Sequence, residues 1–180
     1  MLLFRSKQLT FLKVDSLCKA LAYATETFEP ECIVSIDTGG RYVGEKISRI
    51  LGLPHLSIYV CRDIYNMPFI NRLPSILRLA VRWILFRFTK PVLQKGLSES
   101  SRLFIQGKRV LLVDDAVAKG LTLEVGREAL QGATIRTAVL VNVGQGKADY
   151  CLLNGVYYFP WSRTSPEYKK FLSYLEHSRI

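Results

Sequence analysis

Apolar runs with the character of buried strands alternate with segments of helical period, and this alternation restricts the fold more than any other feature of the chain. The strand-like runs are ECIVSID at 31–37, HLSIYVCRD at 55–63, KRVLLVDD at 108–115, TIRTAVLVNV at 134–143 and a short late run, GVYYFPW, at 155–161. Strands that alternate with helices form a parallel sheet covered on both faces. The predicted fold class is therefore α/β, with a mainly parallel twisted sheet flanked by helices.

Four segments have the hydrophobic spacing of helices that would cover this sheet. The segment 9–28 predicts a short opening strand and then a helix from about Asp15, capped by Asp15 or Ser16. The other predicted helices are 39–53 after a glycine turn, 121–132 closed by Gly132, and 165–177 capped by Ser165. Because neither a linker nor an internal repeat divides the sequence, residues 1–180 are predicted to form a single domain.

The charge and the cysteines indicate what kind of partner and compartment to expect. A formal net charge of +10 favours phosphates, nucleic acid or an acidic membrane surface. The cysteines are scattered, form no CxxC pair and show no metal-ligand spacing, so free and mostly buried thiols are predicted at Cys18, Cys32, Cys61 and Cys151. The opening residues MLLFRSKQ are not expected to be a secretory signal, and a cytoplasmic location is expected.

Two glycine-bearing turns are predicted to lie at one edge of the sheet. DTGGR at 37–41 and DDAVAKGLT at 114–122 each follow a buried strand and each lead into a helix. Ligands of such sheets collect at the carboxyl ends of the strands. A turn that runs into a helix N-terminus offers unpaired N–H groups and the positive end of the helix dipole. Two such turns predict a site for two phosphate groups.

Three stretches resemble one known family. VLLVDDAVAKGLT (110–122) resembles the phosphoribosyl diphosphate (PRPP) signature of the type I phosphoribosyltransferases: four apolar residues, two acids and a small loop ending in Thr. IVSIDTGGRYVGEKISRILGLPH (33–55) resembles that family's diphosphate loop, helix and following strand. ADYCLLNGVYYFPW (148–161) is similar to the base-binding hood of the purine-salvage members. The resemblance covers most of residues 10–165 and implies the Rossmann-like type I phosphoribosyltransferase fold with a small hood.

The resemblance also implies roles for individual residues. Asp114 and Asp115 would be catalytic and would accept hydrogen bonds from the ribose hydroxyls of PRPP, directly or through water on Mg²⁺, the implied cofactor. The residues implied to contact the diphosphate are Thr38, Gly39, Gly40 and Arg41. The residues implied to wrap the 5-phosphate are Ala118, Lys119, Gly120, Leu121 and Thr122.

Four positions depart from the family pattern. Lys119 stands where the signature usually has Thr, and Ala118 stands where many 6-oxopurine enzymes carry an Asp that acts as general acid and base. Thr38 replaces a frequent Lys or Arg. Asn142 falls nearest the place of the purine-reading Lys, and its amide can still contact a base edge. These departures weaken the assignment of a particular enzyme more than that of the fold.

In the hood-like stretch, Tyr158 and Phe159 are the candidates for stacking on the base. Neighbours in a strand point to opposite faces, so the sequence does not choose between these two rings.

A basic, apolar insert is predicted at about 66–98, with six basic residues and no acid. A helix over 75–89 would place arginines on narrow faces and apolar side chains over the rest. Three interpretations stand: a helix in a homodimer interface or against the core, a membrane-surface helix through residues 76–88, and, less favoured, a nucleic-acid surface.

The function predicted from these observations is the transfer of 5-phosphoribose from PRPP to a purine-like base, with release of diphosphate. The predicted partners are PRPP, a nucleobase and a second copy of the chain. The alternative hypothesis is a regulatory homologue that binds PRPP or a nucleotide without turnover, at a membrane or on nucleic acid.

Overall fold

The fold is built on the elements found in residues 7–37, 39–62, 77 and 89–177, which the computed structural model describes. The strands are β1 (Lys7–Gln8), β2 (Cys32–Asp37), β3 (His55–Cys61), β4 (Val92–Lys95), β5 (Arg109–Val117), β6 (Thr134–Asn142), β7 (Tyr150–Asn154) and β8 (Tyr157–Tyr158). The α-helices are α1 (Phe11–Thr25), α2 (Gly39–Leu51), α3 (Glu99–Ile105), α4 (Leu121–Ala129) and α5 (Tyr168–His177).

Six strands form the central sheet in the order β4-β3-β2-β5-β6-β7. Every neighbouring pair is parallel except β3 and β4, which are antiparallel. β1 and β8 form a separate parallel pair. The α/β class and the mainly parallel sheet are confirmed, and so are the strands predicted near 31–37, 55–63, 108–115 and 134–143.

Alternating residues of β2 and β5 build two separate cores on the two faces of the sheet. Ile33 and Leu111 pack on one face, with residues of α1 and α2. Val34 and Leu112 pack on the other face, with residues of α3 and α4. A strand covered on both sides must be apolar along its whole length, which explains why these runs do not alternate with polar residues.

The first helix begins earlier than the sequence predicted. α1 starts at Phe11, and Thr10 is its cap, because the Thr10 hydroxyl accepts a hydrogen bond from the backbone N of Lys13 at 3.3 Å. The opening strand predicted within 9–14 was therefore wrong: β1 ends at Gln8, and the helix begins at Phe11. Asp15 and Ser16 lie inside the helix, where Asp15 accepts hydrogen bonds from other elements and not from its own first turn.

β4, α3 and β7 were not predicted from the sequence patterns. β4 lies within the predicted insert and adds an antiparallel edge to the sheet, so residues 92–95 belong to the main body. The late strand was found only as β8, which pairs with β1 outside the main sheet. The last helix begins at Tyr168, after a turn in which the hydroxyl of Ser165 accepts a hydrogen bond from the backbone N of Glu167.

Several predictions about the insert lie outside the described residues. The helix over 75–89 and the membrane-surface segment 76–88 are described only at Leu77 and Thr89, so the homodimer and membrane interpretations stay predictions. None of the helices in the described ranges is long and apolar enough to cross a membrane. All four cysteines are free; Cys18 and Cys32 are buried, whereas Cys151 is exposed.

A carboxylate at the start of β7 joins three elements. Asp149 accepts hydrogen bonds from Arg127 of α4 at 2.6 Å, from the backbone N of Thr137 in β6 at 2.7 Å, and from Arg136 at 2.8 Å. Burial raises the pKa of Asp149, but the bonds from Thr137 and Arg136 outweigh burial and hold the pKa at about 2. This carboxylate therefore anchors the segment that leads into the hood.

Replacing Asp149 with Ala should destabilise the protein by about 1–3 kcal/mol at pH 7, because the buried backbone N–H of Thr137 loses its acceptor. The lowered folded-state pKa means that the stabilisation is present above about pH 4 and is lost as the pH falls toward 2. Denaturant unfolding at several pH values measures this effect, with Glu128→Ala, an exposed acid on α4, as the control. A stability difference that does not shrink in acid would contradict the assignment.

Candidate functional site

The start of α2 lies directly on the two adjacent acids of β5. A Cβ added at Gly39 would collide with Oδ2 of Asp115, and one added at Gly40 would lie 2.9 Å from Cα of Asp114. Only glycine permits this approach at both positions. The first turn of α2, with its unpaired N–H groups and positive dipole end, therefore sits against two carboxylates.

The hood contacts one of these acids, Asp115, through an indole. Nε1 of Trp161 donates a hydrogen bond to Oδ2 of Asp115 at 2.6 Å. The Trp161 ring is stacked on Phe159, with centroids 4.8 Å apart and an interplanar angle of 10°, and it also contacts the ring of Tyr42 in α2. Asp115 is thus held between the start of α2 and the hood.

Both acids are poorly solvated and close to each other. Burial and the charge of Asp115 raise the pKa of Asp114 well above its usual value. Burial also raises the pKa of Asp115, although the hydrogen bond from Trp161 opposes the rise. The backbone N of Asp115 donates to Oδ1 of Asp114 at 2.8 Å. A cation or hydroxyl donors beside this pair would favour its charged form.

A cavity of about 580 Å³ opens beside the loop that follows the acids. Gly120, with a φ of +85°, turns the chain into α4, and no side chain caps that helix. The N–H groups of its first turn are therefore available to a ligand. The predicted phosphate residues all line the cavity: Ala118, Lys119, Gly120, Leu121 and Thr122.

Four residues at this edge were not predicted as site residues. Asp37, Arg62 and Arg163 line the same cavity, and Trp161 holds Asp115. Oδ1 of Asp37 is buried and has no hydrogen-bond partner among the described residues, and burial raises the pKa of this carboxyl. Its position at the end of β2, just before the glycine turn, was a usable signal. The two arginines carried no sequence signal because distant segments bring them together.

The other predicted site residues differ in their exposure and in their contacts. Thr38 lies outside the described residues. The side chain of Arg41 donates to Glu45 one helical turn later, at 3.1 Å. Tyr158 is 44% exposed, whereas Phe159 is 6% exposed and lies in the core, with Trp161 covering one face of its ring. Base stacking stays a prediction, and the exposed ring of Tyr158 is the better placed for it.

Asn142 lies at the end of β6, and both ends of its amide are engaged. Its Oδ1 accepts from the backbone N of Gly144, and its Nδ2 donates to the carbonyl of Gly146, both at 3.0 Å. Contact with a base edge stays a prediction for this residue. Within the described ranges, no group of three or more His, Cys, Asp or Glu side chains is arranged to hold a metal ion.

Comparison with known proteins connects this edge with a family. The model of the phosphoribosyl transferase domain matches residues 14–151, which include the acids, the loop and the start of α2. No curated protein matches the sequence significantly.

Solved structures with the same fold agree with this match. A purine phosphoribosyltransferase from Pyrococcus horikoshii is 26% identical, with a TM-score of 0.66 over 88% of this chain and 94% of that one. The xanthine-guanine-hypoxanthine phosphoribosyltransferase of Helicobacter pylori is 17% identical, with a TM-score of 0.63 over 94% and 98%. A Neisseria gonorrhoeae hypothetical protein with bound ppGpp is 16% identical, with a TM-score of 0.62 over 96% and 98%.

The match of the family model covers more than half of the chain and includes both predicted phosphate-binding turns, at 37–41 and 114–122. The fold likeness extends over most of the chain and agrees with it. The chain belongs to the phosphoribosyl transferase domain family, and so to the pentosyltransferase enzymes.

Proposed function

We propose that this protein transfers the 5-phosphoribosyl group of PRPP to a purine-like base and releases diphosphate. The observation that carries the proposal is the meeting of three parts at one sheet edge: the start of α2, the acids of β5 and the loop at 118–122. The 26% identity to a purine phosphoribosyltransferase supports a purine as acceptor.

The cavity beside α4 suits the 5-phosphate. The uncapped first turn of α4 offers backbone donors, and Lys119, Arg62 and Arg163 add positive charge around the cavity. A lysine reaches a phosphate as a flexible point charge, so Lys119 supplies attraction without the fixed geometry of the Thr usual in the signature.

The acidic pair suits the ribose and Mg²⁺. Asp114 and Asp115 are poorly solvated and have raised pKa values, and among the described residues no lysine or arginine forms an ion pair with either of them. Hydroxyl donors or a cation would relieve the repulsion between the two carboxylates. Carboxylate oxygens are also among the ligands that Mg²⁺ prefers. When bound, Mg²⁺ supplies charge neutralisation for the diphosphate. The acids would reach it through the ribose hydroxyls or through water.

The turn at the start of α2 suits the diphosphate that leaves. The bond from C1 of the ribose to the diphosphate oxygen breaks, and its electron pair stays on that oxygen. A base nitrogen forms the new bond to C1 and releases its proton to solvent; Ala118 carries no titratable group that could accept it. The amides of Gly39 and Gly40, in the first turn of α2 beside the acids, would stabilise the negative charge on the diphosphate, and the carboxylates would stabilise the positive charge on the sugar.

The alternative is a regulatory homologue that binds PRPP without turnover. Two observations favour it: Ala118 offers no acid or base near the acceptor, and the amide of Asn142 is engaged within its own loop.

Incubation of the protein with PRPP, Mg²⁺ and a panel of purine and pyrimidine bases separates the two functions. We expect diphosphate release that depends on a purine and forms the corresponding nucleotide, measured by a coupled diphosphate assay and by mass spectrometry of the product. Saturable PRPP binding without turnover on any base would instead support the regulatory homologue.

Asp114→Asn should abolish PRPP binding and, at the same time, make the protein more stable at neutral pH. The folded-state pKa of Asp114 is raised, so its ionisation costs stability as the pH rises above about 4; Asn removes this cost. We expect a melting temperature higher by about 2–4 °C at pH 7, corresponding to about 1 kcal/mol, and little difference near pH 4. Calorimetry with PRPP and thermal scans measure the two effects. Unchanged PRPP affinity would count against the site.

Trp161→Phe should lower turnover by about 10–100-fold, because the ring is kept but the hydrogen bond to the Asp115 carboxylate is lost. Loss of that donor should also move the acidic limb of the pH–rate profile to higher pH. Phe171→Leu, a change in the ring beside Trp161 that removes no hydrogen bond, is the control for packing. Equal losses in both variants, with unchanged pH profiles, would show that Trp161 acts only through packing.

A further inference from the structure

The short loop at 143–146 lies against the backbone of residues 118–122, the predicted phosphate loop. Residues 143–146 connect β6 toward β7, and the backbone N of Gly146 donates to the carbonyl of Ala118 at 2.7 Å. The backbone N of Val143 donates to the carbonyl of Val117 at 2.9 Å. The 143–146 loop is therefore hydrogen-bonded to the same chain segment that lines the cavity.

The two glycines of this loop are needed for the contact. A Cβ added at Gly144 would lie 2.5 Å from the carbonyl oxygen of Ala118. A Cβ added at Gly146 would lie 2.6 Å from the backbone N of Gly120. Because backbone atoms cannot move aside as the end of a flexible side chain can, a side chain at either position would push the two loops apart.

Asn142 holds the 143–146 loop in this shape. Its Oδ1 accepts from the N–H two residues later, which is the hydrogen bond of an Asx turn, and its Nδ2 donates to the carbonyl of Gly146. The carbonyl of Asn142 accepts from the backbone N of Gly155, which joins the turn to the hood. One side chain thus bridges both ends of the loop.

The contact decides how one peptide group of the phosphate loop is oriented. In a planar trans peptide, the carbonyl of Ala118 and the N–H of Lys119 point in opposite directions. The carbonyl of Ala118 points toward the 143–146 loop, where it is bonded to Gly146, so the N–H of Lys119 points away from that loop. A released carbonyl could rotate toward the cavity and repel a phosphate.

We propose that Asn142 is a positioning residue for the phosphate group of PRPP, acting through the 143–146 loop on the Ala118–Lys119 peptide. The proposal deepens the function proposed above and rests on it. It gives Asn142 a role different from contact with the base, and the two roles predict effects on different substrates.

Asn142→Ala should raise the KM for PRPP about tenfold and weaken ribose 5-phosphate binding by a similar factor, because two hydrogen bonds of the loop are lost. The KM for the base should change less than twofold. Asn142→Asp keeps the acceptor for Gly144 but replaces the donor to Gly146 with a carboxylate oxygen, so it should not restore the PRPP affinity. Asn154→Ala is the matched control, since Asn154 is exposed and lies opposite Asn142 on β7.

Gly146→Ala is an independent variant, because it leaves Asn142 intact and disturbs the contact with Gly120. We expect the same rise in the KM for PRPP, together with faster hydrogen exchange of the amides in 118–122. Thermal scans of every variant verify that the fold is retained.

The outcomes separate this inference from the proposed function. A raised KM for the base with an unchanged KM for PRPP, or no change in either, would overturn the positioning role while leaving the transferase function intact. A wild-type protein that binds ribose 5-phosphate but turns over no base would overturn the transferase function. In that case the weaker ribose 5-phosphate binding of Asn142→Ala still tests the positioning role by calorimetry.

Discussion

The close approach of the first turn of α2 to the acids of β5 is the contact on which the rest of the site depends. It requires two residues without side chains, Gly39 and Gly40, against Asp114 and Asp115. The contact places the positive end of a helix beside two acidic side chains. The parallel pairing of β2 and β5 brings their carboxyl ends to the same edge of the sheet, which is where ligands of such folds collect. The cavity at 118–122 continues that edge.

The end of β6 and the hood that follows it contribute further residues to the candidate site, beside the acids of β5. Trp161 reaches Asp115 from the hood, and Asn142 shapes a loop that holds the carbonyl of Ala118. Asp149 joins this segment to β6 and α4 by charged hydrogen bonds. The acids, by contrast, have raised pKa values, so their ionisation costs stability at the candidate site, whereas the hydrogen bonds to Asp149 contribute stability.

Individual elements and residues show which parts of the fold and of the candidate site could be predicted from the sequence. The strands of the sheet were predictable because burial on both faces requires continuous apolar runs. Residues 114–122 were predictable as a unit because they are contiguous and follow such a strand. The start of α1 was missed because Thr10 competed with Asp15 as a cap. β4 was missed because a four-residue edge strand with three exposed residues carries too short an apolar pattern. Trp161 and Arg163 were missed because their partners are distant in sequence.

The sequence by itself determined the class of fold, the two turns and the family resemblance, because each of these depends on residues that are close together in the chain. Only the tertiary structure decided which side chains meet. It buried Phe159 and exposed Tyr158, engaged the amide of Asn142 in its own loop, and turned Asp115 toward an indole. The reason is physical. The order of neighbouring residues determines which side chains a strand or turn can present, whereas the packing of segments that are far apart in the chain determines what those side chains contact.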